Sequence, residues 1–196
     1  MYDLPTSIDS YGQTFNIRCN GDFRMVLDCL EALDDEEIKP IERLYSALII
    51  FYSDLNTVDN ILALGKDQVQ DLLSQMFKFF NLNEEDDKNS PHKPKLVDWK
   101  ADSTLVISAI NNVAGKEIRL EEFVHWWTFI GYYMSIGECA LSTVIGIRSK
   151  IAHNEKLEKH EKKFRMENPK YFMVDLRTHE QKASDEWARS VWNSGR

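Results

Sequence analysis

The chain has 196 residues, 43% of them hydrophobic, with 24 basic and 32 acidic side chains and a formal net charge of −8. That length and apolar content suit one domain with a sizeable core, or one domain plus a tail. The acidic balance argues against general binding to nucleic acid or to an anionic membrane, because phosphate-rich partners reward Lys and Arg.

Residues 1–21 read as irregular, with a short extended segment near Tyr11 to Arg18, where Phe15 and Ile17 alternate with polar neighbours. Asp22 is placed to cap a first helix carrying Phe23, Val26, Leu27 and Leu30 on one face. Asp34-Asp35-Glu36-Glu37 puts acid at the start of a second helix, and Pro40 is tolerable only in its first turn. Ile41, Leu44, Tyr45, Leu48 and Phe51 continue that stripe. A third helix is expected from about Asp67 to Phe80 on Val69, Leu72, Leu73, Met76 and Phe80. Charge and two prolines then break the pattern, so 83–95 is expected to be an exposed acidic loop inside a single helical domain, 1–175.

A helix with Leu105, Val106, Ala109, Ile110 and Val113 follows, stopped by Gly115. The next, from Leu120 to about Ile136, is too apolar for an ordinary surface helix. Phe123, Val124, Trp127, Ile130, Gly131 and Met134 form one stripe, and Trp126, Phe129, Tyr133 and Ile136 form a second beside it. Such a helix is either buried in its own domain or covered by a partner. Leu141, Val144, Ile145, Ile147 and Ile151 begin a further helix, and Lys156 to Glu167 is charge-dense with Leu157 and Phe164 as anchors. The tail, 176–196, is mostly polar with Trp187, Val191 and Trp192, and reads as a short docked helix or a frayed end. The fold class is therefore mainly α, a compact domain of about six to eight helices with a short N-terminal extended segment.

Charge is unevenly distributed. Residues 1–146 hold 12 basic and 24 acidic side chains, a net of −12, whereas 147–182 hold 10 basic and 6 acidic, a net of +4. The simplest account of the basic segment is a solvated helix of Lys and Glu pairs.

No motif demands catalysis. There is no Gly-rich phosphate loop and no Gly-x-Ser-x-Gly elbow. Cys19, Cys29 and Cys139 lack metal spacing, and their odd number fits reduced thiols. Of the histidines, His153 and His160 could share a helix face but lack a third ligand. His125, with Glu121 one turn earlier as a hydrogen-bond partner, reads as structural. No catalytic, cofactor or metal residue is assigned, and the chain is expected not to be an enzyme. The N-terminus does not look like an export signal, and no apolar run approaches the roughly 20 residues that span a bilayer. Arg148 lies on an apolar part of its helix. It either pairs with Asp98 or Asp102, or snorkels at the helix edge.

Phe123-x-x-Trp126-Trp127-x-Phe129, then Ile147-Arg148-Ser149-Lys150 and Lys156-Leu157-x-Lys159-x-Glu161-Lys162-x-Phe164, resemble a family of siphophage and prophage proteins, the bacteriophage gp-fifteen family. Asp98-Trp99-x-x-Asp102, Gly115-x-Glu117-Ile118-x-Leu120, Ile17-Arg18 and Asp22-Phe23-Arg24-x-x-Leu27 are similar to other parts of it, so the resemblance covers roughly residues 15–170. It implies a helical protein encoded beside the tape measure protein. Proteins at that position are regarded as tail assembly chaperones, which coat the tape measure and help to recruit tail tube subunits in the host cytoplasm, and which are absent from the mature virion.

On this reading the partners are the tape measure protein, the tail tube protein and further copies of the chain, with no nucleic acid and no membrane. Phe123, Trp126, Phe129, Ile130 and Tyr133 are the expected partner-binding surface, and Trp99, Trp127 and Arg148 are expected to be structural. One alternative is a structural tail or tail-completion component retained in the particle. Another is a nucleic-acid or regulatory binder using the basic 147–182 segment.

Overall fold

The computed structural model describes residues 3–83, 94 and 96–173. The expected loop 83–95 (apart from Asn83 and Pro94), the tail 176–196, His92 and His179 lie outside the described residues. The fold is mainly α. An antiparallel hairpin of β1 (Ser7–Ser10) and β2 (Gln13–Asn16) is followed by α1 (Phe23–Asp34), α2 (Pro40–Phe51), α3 (Val58–Leu62), α4 (Lys66–Phe80), α5 (Ser103–Ala114), α6 (Trp126–Met134), α7 (Ala140–Ala152) and α8 (Lys159–Glu167). Backbone contacts divide the chain into two compact units, Met1–Asp86 with Ile110–Ser135, and Asp87–Ala109 with Ile136–Arg196. Among the described residues no helix is long and apolar enough to cross a membrane.

In the first unit, α1 packs on α2 and α6, and α2 packs on α4. Its core holds Val26, Leu48, Phe51, Tyr52, Leu72, Met76, Phe79 and Phe129. The hairpin turns at Tyr11-Gly12, both with positive φ, as a two-residue turn matched to strand twist requires. It was legible only as a loose extended segment because Tyr, rather than Asn or Asp, occupies the first turn position. Arg18 closes the carbonyl end of α2, donating to the oxygens of Ile49, Ile50 and Tyr52 at 3.0–3.1 Å. Those carbonyls have no partner within the helix, and the cation also suits the negative end of the helix dipole. The buried Tyr52 hydroxyl donates to the Leu72 carbonyl at 2.9 Å, and burial pushes its pKa up.

Two expectations on element boundaries are corrected, and one short helix is added. Asp34-Asp35-Glu36-Glu37 does not open the second helix: α1 runs through Asp34, and α2 starts at Pro40, where the missing N–H of proline is harmless. The short α3, opened by a Thr57/Asn60 capping box, lies between the second and third helices expected from sequence, where no element is expected. The helix expected from Leu120 starts at Trp126, so Phe123 and Val124 do not belong to a helical stripe. Gly115 does end α5, with φ +69.

The second unit is organised around Arg148. The residue is fully buried and all five of its N–H donors are used. Nη1 and Nη2 bind the two oxygens of Asp102, which is itself buried, Nη1 also reaches the Leu96 carbonyl at 2.9 Å, and Nε and Nη2 both donate to the Tyr171 carbonyl. The Asp98-Trp99-x-x-Asp102 pattern has a local reason as well. The Asp98 carboxylate accepts from Lys100 N and Ala101 N, and the Asp98 N–H donates to Asp102 at 3.0 Å, which orients the carboxylate that Arg148 needs. Pairing, rather than snorkelling, satisfies the guanidinium, and Asp102 rather than Asp98 is the partner. Trp99 is half-buried. His153 caps α7 while His160 lies in α8, so the two do not share a helix.

Candidate functional site

The segment between α5 and α6, residues 115–125, is a strap with one short 3-10 turn at Ile118–Leu120, fastened at several points within the first unit. Asn111 accepts from Ile118 N at 2.9 Å and donates to Glu117. Arg24 reaches across with its guanidinium, donating to the carbonyls of Ile118, Arg119 and Glu121. Its other nitrogen grips Asp22, whose carboxylate caps α1 through Arg24 N and accepts from Val124 N at 3.0 Å. Phe23 N completes the seam by donating to the Val124 carbonyl.

This fastening decides which side chains face outward. Ile118 and Val124 are buried, while Leu120 is 83% exposed and Phe123 47% exposed. Apolar side chains are thus held out on a backbone that its own hydrogen bonds fix. Charges of both signs border them. Lys116 pairs with Glu121 at 2.9 Å and Arg119 with Glu117 at 2.7 Å. Arg119 holds the Glu117 carboxyl down to about 2, helped by hydrogen bonds from the Arg119 backbone and Asn111, so this acid stays ionised over the physiological range.

The strap ends in His125, the N-cap of α6. Its Nδ1 accepts from Trp127 N at 3.1 Å, which leaves the proton on Nε2 to donate to the Pro5 carbonyl at 3.2 Å. Glu121, the partner expected from sequence, is turned to Lys116 instead. Gly21 lies over the ring, in positive φ, and a Cβ there would come within 2.9 Å of His125 Nε2 and of the Phe79 ring. His125 is therefore held in place as a neutral cap, and burial lowers its pKa.

The two adjacent tryptophans share one task. Trp126 Nε1 donates to the Phe80 carbonyl and Trp127 Nε1 to the Phe79 carbonyl, each at 3.0 Å, closing the C-terminal end of α4. Trp126 stacks on Phe129, and Phe129 stacks on Phe23 with ring centroids 4.5 Å apart. The expected partner surface is corrected accordingly. Trp126, Phe129 and Ile130 are buried and form its floor, because one stripe of α6 is needed to cover α1. Trp127, expected to be core, is half-buried. Phe123 is exposed as expected, and Tyr133 is half-buried. Leu120, expected as the first residue of a helix and so not singled out for exposure, instead ends the 3-10 turn Ile118–Leu120 and faces solvent. Its signal was an apolar side chain between Arg119 and Glu121. Met134, at the end of α6, is also exposed.

Among the described residues no group of three or more His, Cys, Asp or Glu side chains could hold a metal ion. No buried side-chain polar atom among them lacks a partner. No curated protein and no solved structure matched the chain. The family model described as Bacteriophage Gp15 protein matches residues 1–172, which takes in the strap, the Trp pair, Arg148 and α8. That match spans most of the chain, and the protein belongs to the Bacteriophage Gp15 family.

Proposed function

We propose that this phage protein is a tail assembly chaperone that holds the tape measure protein, and receives tail tube subunits, in the host cytoplasm before the tube encloses its ruler. The observation that carries the reading is the pair Leu120 and Phe123, exposed on a strap pinned at both ends. Presenting apolar anchors on fixed backbone lowers the entropy lost on binding. A border of charged side chains suits the polar flanks of an amphipathic helix laid over such anchors. Contacts of this small size favour many weak, displaceable sites along a long client.

The test is co-expression of the chain with the tape measure protein encoded beside it, followed by light-scattering mass of the purified complex. Several copies per client are expected, with capture lost in Leu120→Ser/Phe123→Ser while helical circular dichroism is unchanged. Undiminished capture by that variant would remove the strap from the client site. Detection of the chain in purified virions by mass spectrometry would favour a structural tail component instead.

A further inference from the structure

Helix α8 turns two different faces to its surroundings. Inward, Glu161 accepts from Lys150 Nζ and from Glu158 N, both at 2.7 Å, and Phe164 meets the Phe172 ring edge-on. Outward, Lys159, Lys162, Lys163 and Met166 follow the i, i+3, i+4, i+7 spacing of a single helix face, and all four are exposed. Met166, 80% exposed, closes the C-terminal end of this lysine stripe. Lys163 has one long contact, 3.8 Å to Glu167, and Lys159 and Lys162 make no salt bridge among the described residues. Three cations followed along one helix face by an unbranched, polarizable side chain match an acidic protein segment that carries an apolar residue.

The chain itself holds such a segment. The first unit has 8 basic and 20 acidic side chains, a net of −12, whereas the second has 16 basic and 12 acidic, a net of +4. Among the described residues the densest exposed acid is Asp34-Asp35-Glu36-Glu37, which closes α1 and leads toward α2, followed by the half-buried Ile38. The stripe on α8 extends over about 10 Å, within reach of a four-residue acidic turn. We propose that the Lys159–Met166 face of α8 docks the acidic Asp34–Ile38 connection of a second copy of this chain. The donor and acceptor patches are different surfaces, so the contact is head-to-tail. Each added copy leaves one patch of each kind open, and assemblies grow with concentration unless a ring closes. Long-range repulsion between chains of net charge −8 works against this, so contact is made at short range and is weakened by salt.

The experiment is sedimentation velocity of the full chain across a tenfold concentration range at about 20 mM and about 500 mM salt. The expected result is a mass that rises with concentration at low salt and returns to the 22.9 kDa monomer at high salt. Lys159→Glu/Lys162→Glu/Lys163→Glu should weaken self-association by about tenfold or more. So should Asp34→Lys/Asp35→Lys/Glu36→Lys/Glu37→Lys. Mixing the two reversed variants should restore growth with concentration, in assemblies that hold both variants in equal number. Both sets of positions are exposed, and unchanged circular dichroism separates lost docking from lost folding. A monomer under every condition overturns the proposal, as does association that ignores the lysine reversal. Salt-sensitive binding of duplex DNA that the lysine reversal abolishes, with no self-association, would give the face to nucleic acid instead.

Discussion

Each unit contains an arginine that ties distant backbone together through an aspartate, and the two are built to opposite specifications. Arg24 leaves 38% of its side chain exposed while holding Asp22 and three carbonyls of the strap. Arg148 and Asp102 are both fully buried, with every guanidinium donor engaged. In the first unit, water can replace much of what a lost contact supplied. In the second, removing either partner leaves a charge in a site without solvent. Similar chemistry therefore serves as a clasp in one place and as an obligatory core element in the other.

The sharpest way to break this comparison is Arg148→Ala, which should cost about 3–5 kcal/mol because Asp102 is left buried and unpaired. Denaturant melts check it. The paired replacement Arg148→Met/Asp102→Leu should recover much of that loss, and equal damage from single and double variants would mean that the Leu96 and Tyr171 carbonyls matter more than the charge pair. Arg24→Ala should cost less, about 1–2 kcal/mol, and should raise amide exchange across residues 118–124 ahead of the rest of the first unit.

A pH titration adds a smaller effect. Burial lowers the His125 pKa, opposed by the Pro5 carbonyl and the Asp22 charge, so the unfolded chain takes up the proton first. Stability is therefore complete above about 6.5 and falls as pH drops below it. His125→Asn, which can still cap α6, should flatten that part of the pH profile relative to the parent chain. The smallest effect on stability belongs to Leu120→Ser and Phe123→Ser, within about 0.5 kcal/mol. A larger loss in thermal melts would place these side chains in the fold and leave the strap without an exposed apolar face.

Some elements were open to sequence reading because their causes are local. The stripes of α1, α4 and α7 and the Gly115 stop each rest on residues within a turn or two of one another. The Asp22 cap is likewise local. The site was legible in part. The segment around the Trp pair was correctly marked as more apolar than a surface helix needs, and Phe123 was correctly placed outside. Its floor was misjudged, because the two stripes of α6 are about equally apolar and periodicity alone cannot say which one faces α1.

What the sequence determined by itself was a helical fold, an acidic body with a basic C-terminal third, and membership of a phage protein family. These follow from composition, short-range periodicity and residue order. Tertiary structure alone decided that residues 121–125 form a strap outside any helix, that Trp126 and Phe129 go inside, and that Arg148 chooses Asp102. Those outcomes depend on hydrogen-bond partners 46 to 102 residues away along the chain. A buried donor is satisfied by whichever acceptor folding brings within 3 Å of it, and residue spacing carries no record of that distance.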